Sequence, residues 1–244
     1  MKINIFWFRR DLRLNDNTGL NKALGAGLPV LPVFIFDTNI ITELPADDPR
    51  INFIYDNLFS INKELSGSGS SVLIMKGDPV RTWEKIASSF DINEVYANKD
   101  YEPYAIDRDN QVKTLLGKSN IVFHTYRDQV IFEENDIIKA DGKPYTVFTA
   151  YKNSWLKKFR ERSAEFQPGK TFDFNNFYKH SVEFPSIEQL KFRKSSIRVR
   201  PFDLSVIPEY QKYRDIPAAD NTSYLSPHLR FGTVSIRQMV TLAD

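Results

Sequence analysis

The chain has no cysteine, which excludes disulfides, thiolate nucleophiles, iron–sulfur clusters and cysteine-containing zinc sites. Long apolar runs are missing as well. A membrane span needs about 20 consecutive apolar residues, whereas the longest apolar stretch near the start, Ile3 to Phe8, is broken by Asn4 and followed by Arg9-Arg10. It is too short for a signal peptide and carries its charge on the wrong side, so a cytoplasmic location without membrane attachment is expected. Histidine is scarce: His124, His180 and His228 stand far apart, with no local ligand spacing, and no metal is expected. Neither G-x-G-x-x-G after the first strand nor G-x-x-x-x-G-K-[ST] occurs, which leaves the standard dinucleotide and P-loop cradles unsupported. Gly67-Ser68-Gly69 reads as a flexible helix exit rather than a phosphate loop.

An excess of either charge is also lacking, with 33 basic against 31 acidic residues and a net charge of +2. The balance is uneven along the chain. Residues 1–130 hold 15 Lys/Arg and 17 Asp/Glu, residues 131–244 hold 18 and 14, and this tilt suits an acidic partner on the C-terminal side. Lys191, Arg193, Lys194, Arg198 and Arg200 form a run without an acid. A solvated linker and a phosphate contact both explain it.

What is present is a globular composition of 244 residues, 41% apolar and 14% aromatic, long enough for one large domain or two small ones. In residues 1–130, short β-rich runs alternate with helical patterns. Strands are predicted at Ile3–Phe8, Pro29–Phe36, Val72–Met75, Val95–Ala97 and Ile121–Tyr126. Ile54, Leu58, Ile61 and Leu65 share one face of a helix. Asp78-Pro79 reads as a cap with proline in the first turn, and another helix runs from about Pro103 to Leu116. Strands apolar on both faces that alternate with helices imply a parallel sheet covered on both sides. The expected fold is α/β, a doubly wound five-stranded parallel sheet.

The character changes after Arg127. Seven of the 13 prolines follow it, and Ala150 to Arg162 reads as a helix with Trp155, Leu156 and Phe159 on one side. Gln167 to Pro201 has no period, and a loop this long suits an interdomain connection. From about Pro208 a helical section begins. Ser226-Pro227 reads as a cap with a first-turn proline, and Ser235 with Gln238 as a capping box for the next helix. A helix met within its first turns cannot bury its face alone; either the chain is a fragment or this end packs back on the first domain. The expected division is an α/β domain at 1–130, a linker with one helix at 131–200, and the start of a helical domain at 201–244.

In doubly wound sheets ligands bind beyond the carboxyl ends of the strands. The residues there are polar: Arg9-Arg10-Asp11, Asp37-Thr38, Lys76-Gly77-Asp78, Asn98 to Glu102, and Arg127-Asp128. The stretch from Arg9 to Asn17 holds three arginines and two aspartates, which generic physics reads as an ion-pair network pinning the first loop. Thr222-Ser223-Tyr224-Leu225-Ser226 offers several hydroxyls beside a helix start, where backbone N–H groups attract phosphate and where ordinary capping is the plainer use.

Four stretches together carry a resemblance. They are Trp7 to Asn17; Tyr96 to Tyr104 with Arg108-Asp109; Asp128-Gln129-Val130 through Gly142 to Thr149; and Thr222 to Gly232 with Ser235 and Arg237. In this order they resemble the N-terminal part of the DNA photolyase/cryptochrome family, in its class I-like deoxyribodipyrimidine branch. The resemblance implies a Rossmann-like antenna-chromophore domain, a long linker, and a helical domain that buries FAD. It implies light-driven, FAD-dependent repair of pyrimidine dimers, a carbon–carbon lyase reaction on damaged DNA, by a flavoprotein expected to be a monomer. A cryptochrome-type blue-light receptor without repair activity, or a stand-alone chromophore- or nucleotide-binding module, are the alternatives.

By motif, Tyr210, Thr222, Ser223, Tyr224, Leu225 and Ser226 match positions that contact FAD, and Arg214 matches a position near bound DNA, or pairs with Asp215 or Asp220. Arg9, Asp100 and Glu102 are the antenna candidates. Folate-binding members carry Asn-Glu where this chain has Tyr104-Ala105, so a deazaflavin or flavin is expected over folate, with no antenna at all as the remaining alternative. Members of the family are far longer. This polypeptide is expected to hold FAD weakly or not at all and to be inactive in repair by itself; its catalytic residues are not assigned.

Overall fold

Alternation in two central strands explains why this chain makes a two-faced sheet. In β1 (Ile3–Phe8), Ile3, Ile5 and Trp7 enter one core, while Phe6 and Phe8 enter the other. In β2 (Val30–Asp37), Leu31, Val33 and Ile35 join the first group and Phe34 and Phe36 the second. Such strands must be covered twice. The protein is described by a computed structural model over residues 1–166, 169 and 174–243.

The sheet is completed by β3 (Leu73–Gly77), β4 (Ile92–Asn98) and β5 (Val122–Tyr126). All pairings are parallel, in the order β3-β2-β1-β4-β5. The chain winds outward from β1 to β3, then returns to β4 on the other side of β1, which places the switch point between β1 and β4. All five predicted strands are present. β4 starts three residues before its predicted beginning, because Ile92 pairs with β1 and the polar Glu94, which the hydrophobic pattern passes over, pairs on both sides, with Asn93 at a register shift between them. Pro32 sits in a central strand, yet β3 begins opposite Val33, so its missing N–H falls where the third strand has not started.

Helices α1 (Thr18–Leu24) and α3 (Pro49–Ser66) cover one face, and α4 (Pro79–Ser89) and α5 (Pro103–Gly117) the other. The short α2 (Thr38–Ile41) follows β2 directly. Three of these starts use an acid before proline or a helical first turn: Asp37 accepts from the Asn39 N–H, Asp48 from Arg50, and Asp78 from Arg81. α1 has no apolar period in the sequence. It forms because the Asn17 side chain caps it at Leu20 N (3.1 Å) and because Leu20, Ala23 and Leu24 are buried. On α3, Leu58, Ile61 and Leu65 are buried as the spacing predicts, and Ile51 joins them; Ile54 is only half-buried, since it faces a crevice.

The segment without a period is a core element. Of the expected connection Gln167–Pro201, residues 167, 168 and 170–173 lie outside the described residues, as does Asp244. Farther along, Phe177, Ile187, Leu190 and Phe192 insert singly among Phe8, Phe34, Phe36 and the α3 side chains. Tyr178 N donates to Val30 O (2.9 Å), and Phe36 and Phe192 rings lie 5.3 Å apart. A separate small core joins Ile131, Phe132 and Ile137 with Phe159 of α6 (Phe148–Glu161) and Phe166, and receives Ile236 and Val240 of α9 (Ile236–Ala243). Between these lie α7 (Tyr210–Tyr213) and α8 (Leu225–Arg230).

The first loop, rich in arginine and aspartate, joins the two parts. Arg13 reaches Asp128 (2.6 Å), Arg237 reaches Asp128 (2.9 Å) and Asp16 (3.0 Å), and the Ser235 hydroxyl donates to Asp16. The Asp128 carboxylate is fully buried and also accepts from the backbone N–H and hydroxyl of Thr18, each at 3.0 Å. Burial pushes its pKa up, but Arg13, Arg237 and the Thr18 N–H together hold it below the usual carboxylate range. The backbone follows: Leu12 N donates to Phe231 O (3.0 Å), and Arg13 donates to Gly232 O (3.0 Å). Gly232 adopts φ +62°, and a Cβ there would collide with the Arg10 carbonyl, so only glycine allows this approach. Thus the segment before α9 is held against the loop after β1, Ile236 and Val240 of α9 are covered by the small core, and Ser235 caps α9 through Arg237 N (3.2 Å).

Two outcomes are expected in urea unfolding. Phe192→Ala, far in sequence from the sheet it fills, lowers stability by about 3–5 kcal/mol, while Val147→Ala at an exposed position changes little. Asp128→Asn leaves two buried guanidinium groups undercompensated and costs about 3–5 kcal/mol at pH 7. Because the folded pKa of Asp128 lies below its unfolded value near about 3.9, its contribution is fully present above that pH and fades as pH falls through the folded value. The gap between wild type and Asp128→Asn therefore closes in acid; a gap unchanged with pH would contradict the assignment.

Candidate functional site: a crevice at the switch point

The carboxyl ends of β1, β2 and β4 leave a cavity of about 320 Å³ beside the switch point. Its walls are apolar on one side, with Ile40 and Ile41 of α2, Ile54 of α3, and Phe231 just after α8. The other side is polar, built from Arg9 and Arg10 after β1, Asp37 at the end of β2, Asp100 and Glu102 after β4, and Tyr104 and Arg108 of α5.

Of the antenna candidates, Arg9, Asp100 and Glu102 all line this cavity, but they do different things. The Arg9 guanidinium is buried, pairs with Asp109, and lies 5.1 Å from the Trp7 ring. Arg108 lies 5.0 Å from the same ring, 2.9 Å from Asp109 and 3.8 Å from Asp37. Asp100 and Glu102 are bound by Arg10, at 3.3 and 2.9 Å, and Glu102 is also bound by Arg230 at 2.5 Å. These arginines hold the Glu102 carboxyl below its usual range, Arg230 foremost. Arg230 comes from α8, so the rim of the crevice includes the helical part.

Sequence reasoning missed Asp37, Tyr104 and Arg108 as a set. Tyr104 donates to Asp37 (2.7 Å), and burial together with that bond pushes the phenol up to about 12. Burial also raises the Asp37 carboxyl, against the pull of Tyr104 and the Asn39 N–H. A signal was available: Asp37 ends an apolar strand, and Tyr104 and Arg108 are four apart in a helix that starts at the predicted proline. Behind the lining, Arg9 Nη2 and Trp7 Nε1 are buried and have no hydrogen-bond partner among the described residues. Unpartnered buried donors of this kind call for an explanation.

The FAD candidates are arranged differently. Tyr210 begins α7 and is exposed; Thr222 and Ser226 are exposed, and Ser223, Tyr224 and Leu225 half-buried. Ser226 does not cap a helix at Pro227. α8 starts at Leu225, with Tyr224 before it in the left-handed region (φ 51°, ψ 20°), so Ser226 and Pro227 lie inside the first turn, where the missing proline N–H has no partner to lose. A tyrosine in that region is unusual for an L-residue. It is held by its hydroxyl, which donates to Asp220 and accepts from Arg200 (2.5 Å), and by the Arg200 guanidinium 4.7 Å from its ring. Leu225 lines an apolar groove with Leu204, Ile207, Trp155, Met239 and Val240. Arg214 is half-exposed and lies 3.5 Å from Asp215; Asp220 is paired with Arg200 instead.

The profile of the DNA photolyase family matches residues 4–169. The deoxyribodipyrimidine photo-lyase of Synechococcus sp. (strain PCC 6301) is 29% identical over 96% of this chain and 52% of its own length. A 31.6 kDa uncharacterised protein of Synechococcus sp. (strain PCC 6716) is also 29% identical, over 96% of this chain and 87% of its own. Among solved structures, an archaeal photolyase from Sulfolobus tokodaii with two FAD molecules is 27% identical with a TM-score of 0.72, covering 99% of this chain and 54% of that one. The chain spans about half the length of the curated photo-lyases it matches. The profile match over most of the sequence, the shared fold and a crevice at the switch point lead to one conclusion: this chain belongs to the DNA photolyase family.

Proposed function

We propose that this chain is the light-harvesting half of a flavin-dependent DNA photolyase, and that its switch-point crevice holds a flavin-type antenna chromophore. The observation that carries the reading is the crevice's two-sided chemistry. Aliphatic and phenyl walls suit the faces of a flat tricyclic ring. Arg10 and Arg108 on the lining and the Tyr104–Asp37 pair offer donors and acceptors to its carbonyl and ring-nitrogen edge. These residues fit the group, which when bound supplies light absorption and energy transfer. The chain's own part is to bind the ring, exclude water from its faces and hold the Asp37 carboxylate in place through the Tyr104 hydroxyl.

The FAD of the whole photolyase is proposed to meet this chain at Tyr210, Thr222, Ser223, Tyr224, Leu225 and Ser226, with Arg214 near DNA. The motif match supports this, and so does the strained Tyr224 conformation, since such backbone positions cluster at ligand sites. These residues are too exposed to enclose a flavin. The chain on its own is therefore proposed to hold FAD weakly and to leave dimers unrepaired, while the longer protein repairs pyrimidine dimers under light. No helix among the described residues is long and apolar enough to cross a membrane.

Titration of the purified chain with FMN, FAD and a deazaflavin, followed by difference absorption, tests the crevice. Saturable binding of at least one is expected, weakened at least tenfold by Ile40→Trp, which fills the cavity from an exposed position. Binding untouched by that substitution would place the ring elsewhere. Dimer repair by this chain under blue light would overturn the proposal that it is inactive alone.

A further inference from the structure

Helix α3 faces two cavities. Ile54 lines the chromophore crevice, whereas Phe53, Tyr55 and Asp56 line a separate cavity of about 450 Å³. Its opposite wall is the extended segment 194–199, including Lys194, Ser195 and Arg198. This is the acid-free basic run whose sequence fits both a solvated linker and a phosphate contact.

The structure separates the two. A solvated linker needs no anchoring, yet this backbone is fixed to the α/β body: Arg193 N donates to Ala46 O (2.8 Å), Asn52 Nδ2 donates to Arg193 O (3.0 Å), and Ser195 N donates to Asn52 Oδ1 (3.1 Å). Arg200 is paired with Asp220, but Lys191, Arg193, Lys194 and Arg198 have no carboxylate partner among the described residues. Anchored backbone with unpaired cations is pre-organised for an anion, because less order is lost on binding.

Aromatic rings run beside the cations. Tyr55 and Phe59 pack edge-on against Phe184, with centroids at 5.4 and 5.5 Å, and Phe59 is half exposed. Toward the other end, Phe53 and Phe202 each pack edge-on against His228. Of these rings Phe53 and Tyr55 line the cavity together with Lys194 and Arg198; cations beside rings on which a base can stack are features that bind single-stranded nucleic acid. A duplex hides its base faces, and an acidic peptide has few to offer.

We propose that the groove between α3 and the 191–200 segment binds single-stranded nucleic acid, with Lys194 and Arg198 on phosphates and one unstacked base in the cavity. The Asp56 carboxylate on the cavity lining, which would repel a bare anion, accepts from the exocyclic amino group of such a base. The site needs neither flavin nor a lesion, so it stands apart from the chromophore reading and its failure leaves that reading intact.

The test is fluorescence anisotropy of this chain with a short, labelled, undamaged oligonucleotide at several salt concentrations. Binding is expected to weaken with salt at a slope of about −0.7 for each phosphate engaged. The Lys194→Ala/Arg198→Ala double variant is expected to bind about tenfold more weakly, with the slope flattened by about 1.4. Both side chains are exposed, and far-ultraviolet circular dichroism checks that the fold is kept. Lys113→Ala on α5 is the control and binds as wild type. A double variant with unchanged affinity and slope, or a duplex bound as tightly as the single strand, overturns the proposal.

Discussion

A buried carboxylate shared by two arginines holds the two parts of this protein together. Asp128 leaves the last strand, Arg13 comes from the loop after the first, and Arg237 comes from the start of α9. A lone charge in that position would be prohibitive; with both partners and the Thr18 N–H it is satisfied, and it ionises more readily than a free aspartate. The loop held there also supplies Arg9 and Arg10 to the crevice, while the end of α8 on the other side of the contact supplies Arg230 and Phe231. The geometry of the crevice therefore depends on the ion cluster a few residues away.

That dependence gives the arginine-rich loop two roles. Arg13 and Asp16 face the ion cluster with Asp128 and Arg237, and Arg9 and Arg10 face the crevice. Asp11 sits between, fully buried, accepting from Arg9 N (2.7 Å) and Asn98 (2.6 Å), with burial raising its pKa. The structural and the functional interpretations of this loop thus refer to different residues of one segment.

Much of the fold was legible because it follows local rules. Strand alternation, the Asp-Pro helix starts and the 54–58–61–65 spacing each report on neighbours in the chain. What the sequence hid is non-local. Phe177, Leu190 and Phe192 have no period because each reaches the sheet from an irregular segment, and α1 is fixed by Asn17 and by burial rather than by amphipathicity. The antenna candidates were found through the rim of polar residues beyond the strands, but Tyr104, Arg108 and Asp37 become a set only when α5 is laid beside β2. Ser226 was misjudged as a cap because a left-handed tyrosine before α8 is not encoded by any turn residue; the Asp220 and Arg200 contacts hold it.

The central claim is that a flavin-type ring binds at the switch point, against Trp7. The chain has three tryptophans, and they mark different places: Trp7 on the crevice, Trp83 behind it in the core, and Trp155 on the apolar groove of the helical part. The most direct measurement is the shift of each indole N–H resonance as a flavin is added. The account predicts that Trp7, whose Nε1 is buried without a partner, shifts most and that Trp155 stays still. Movement of Trp155 with Trp7 unchanged at saturation would contradict it.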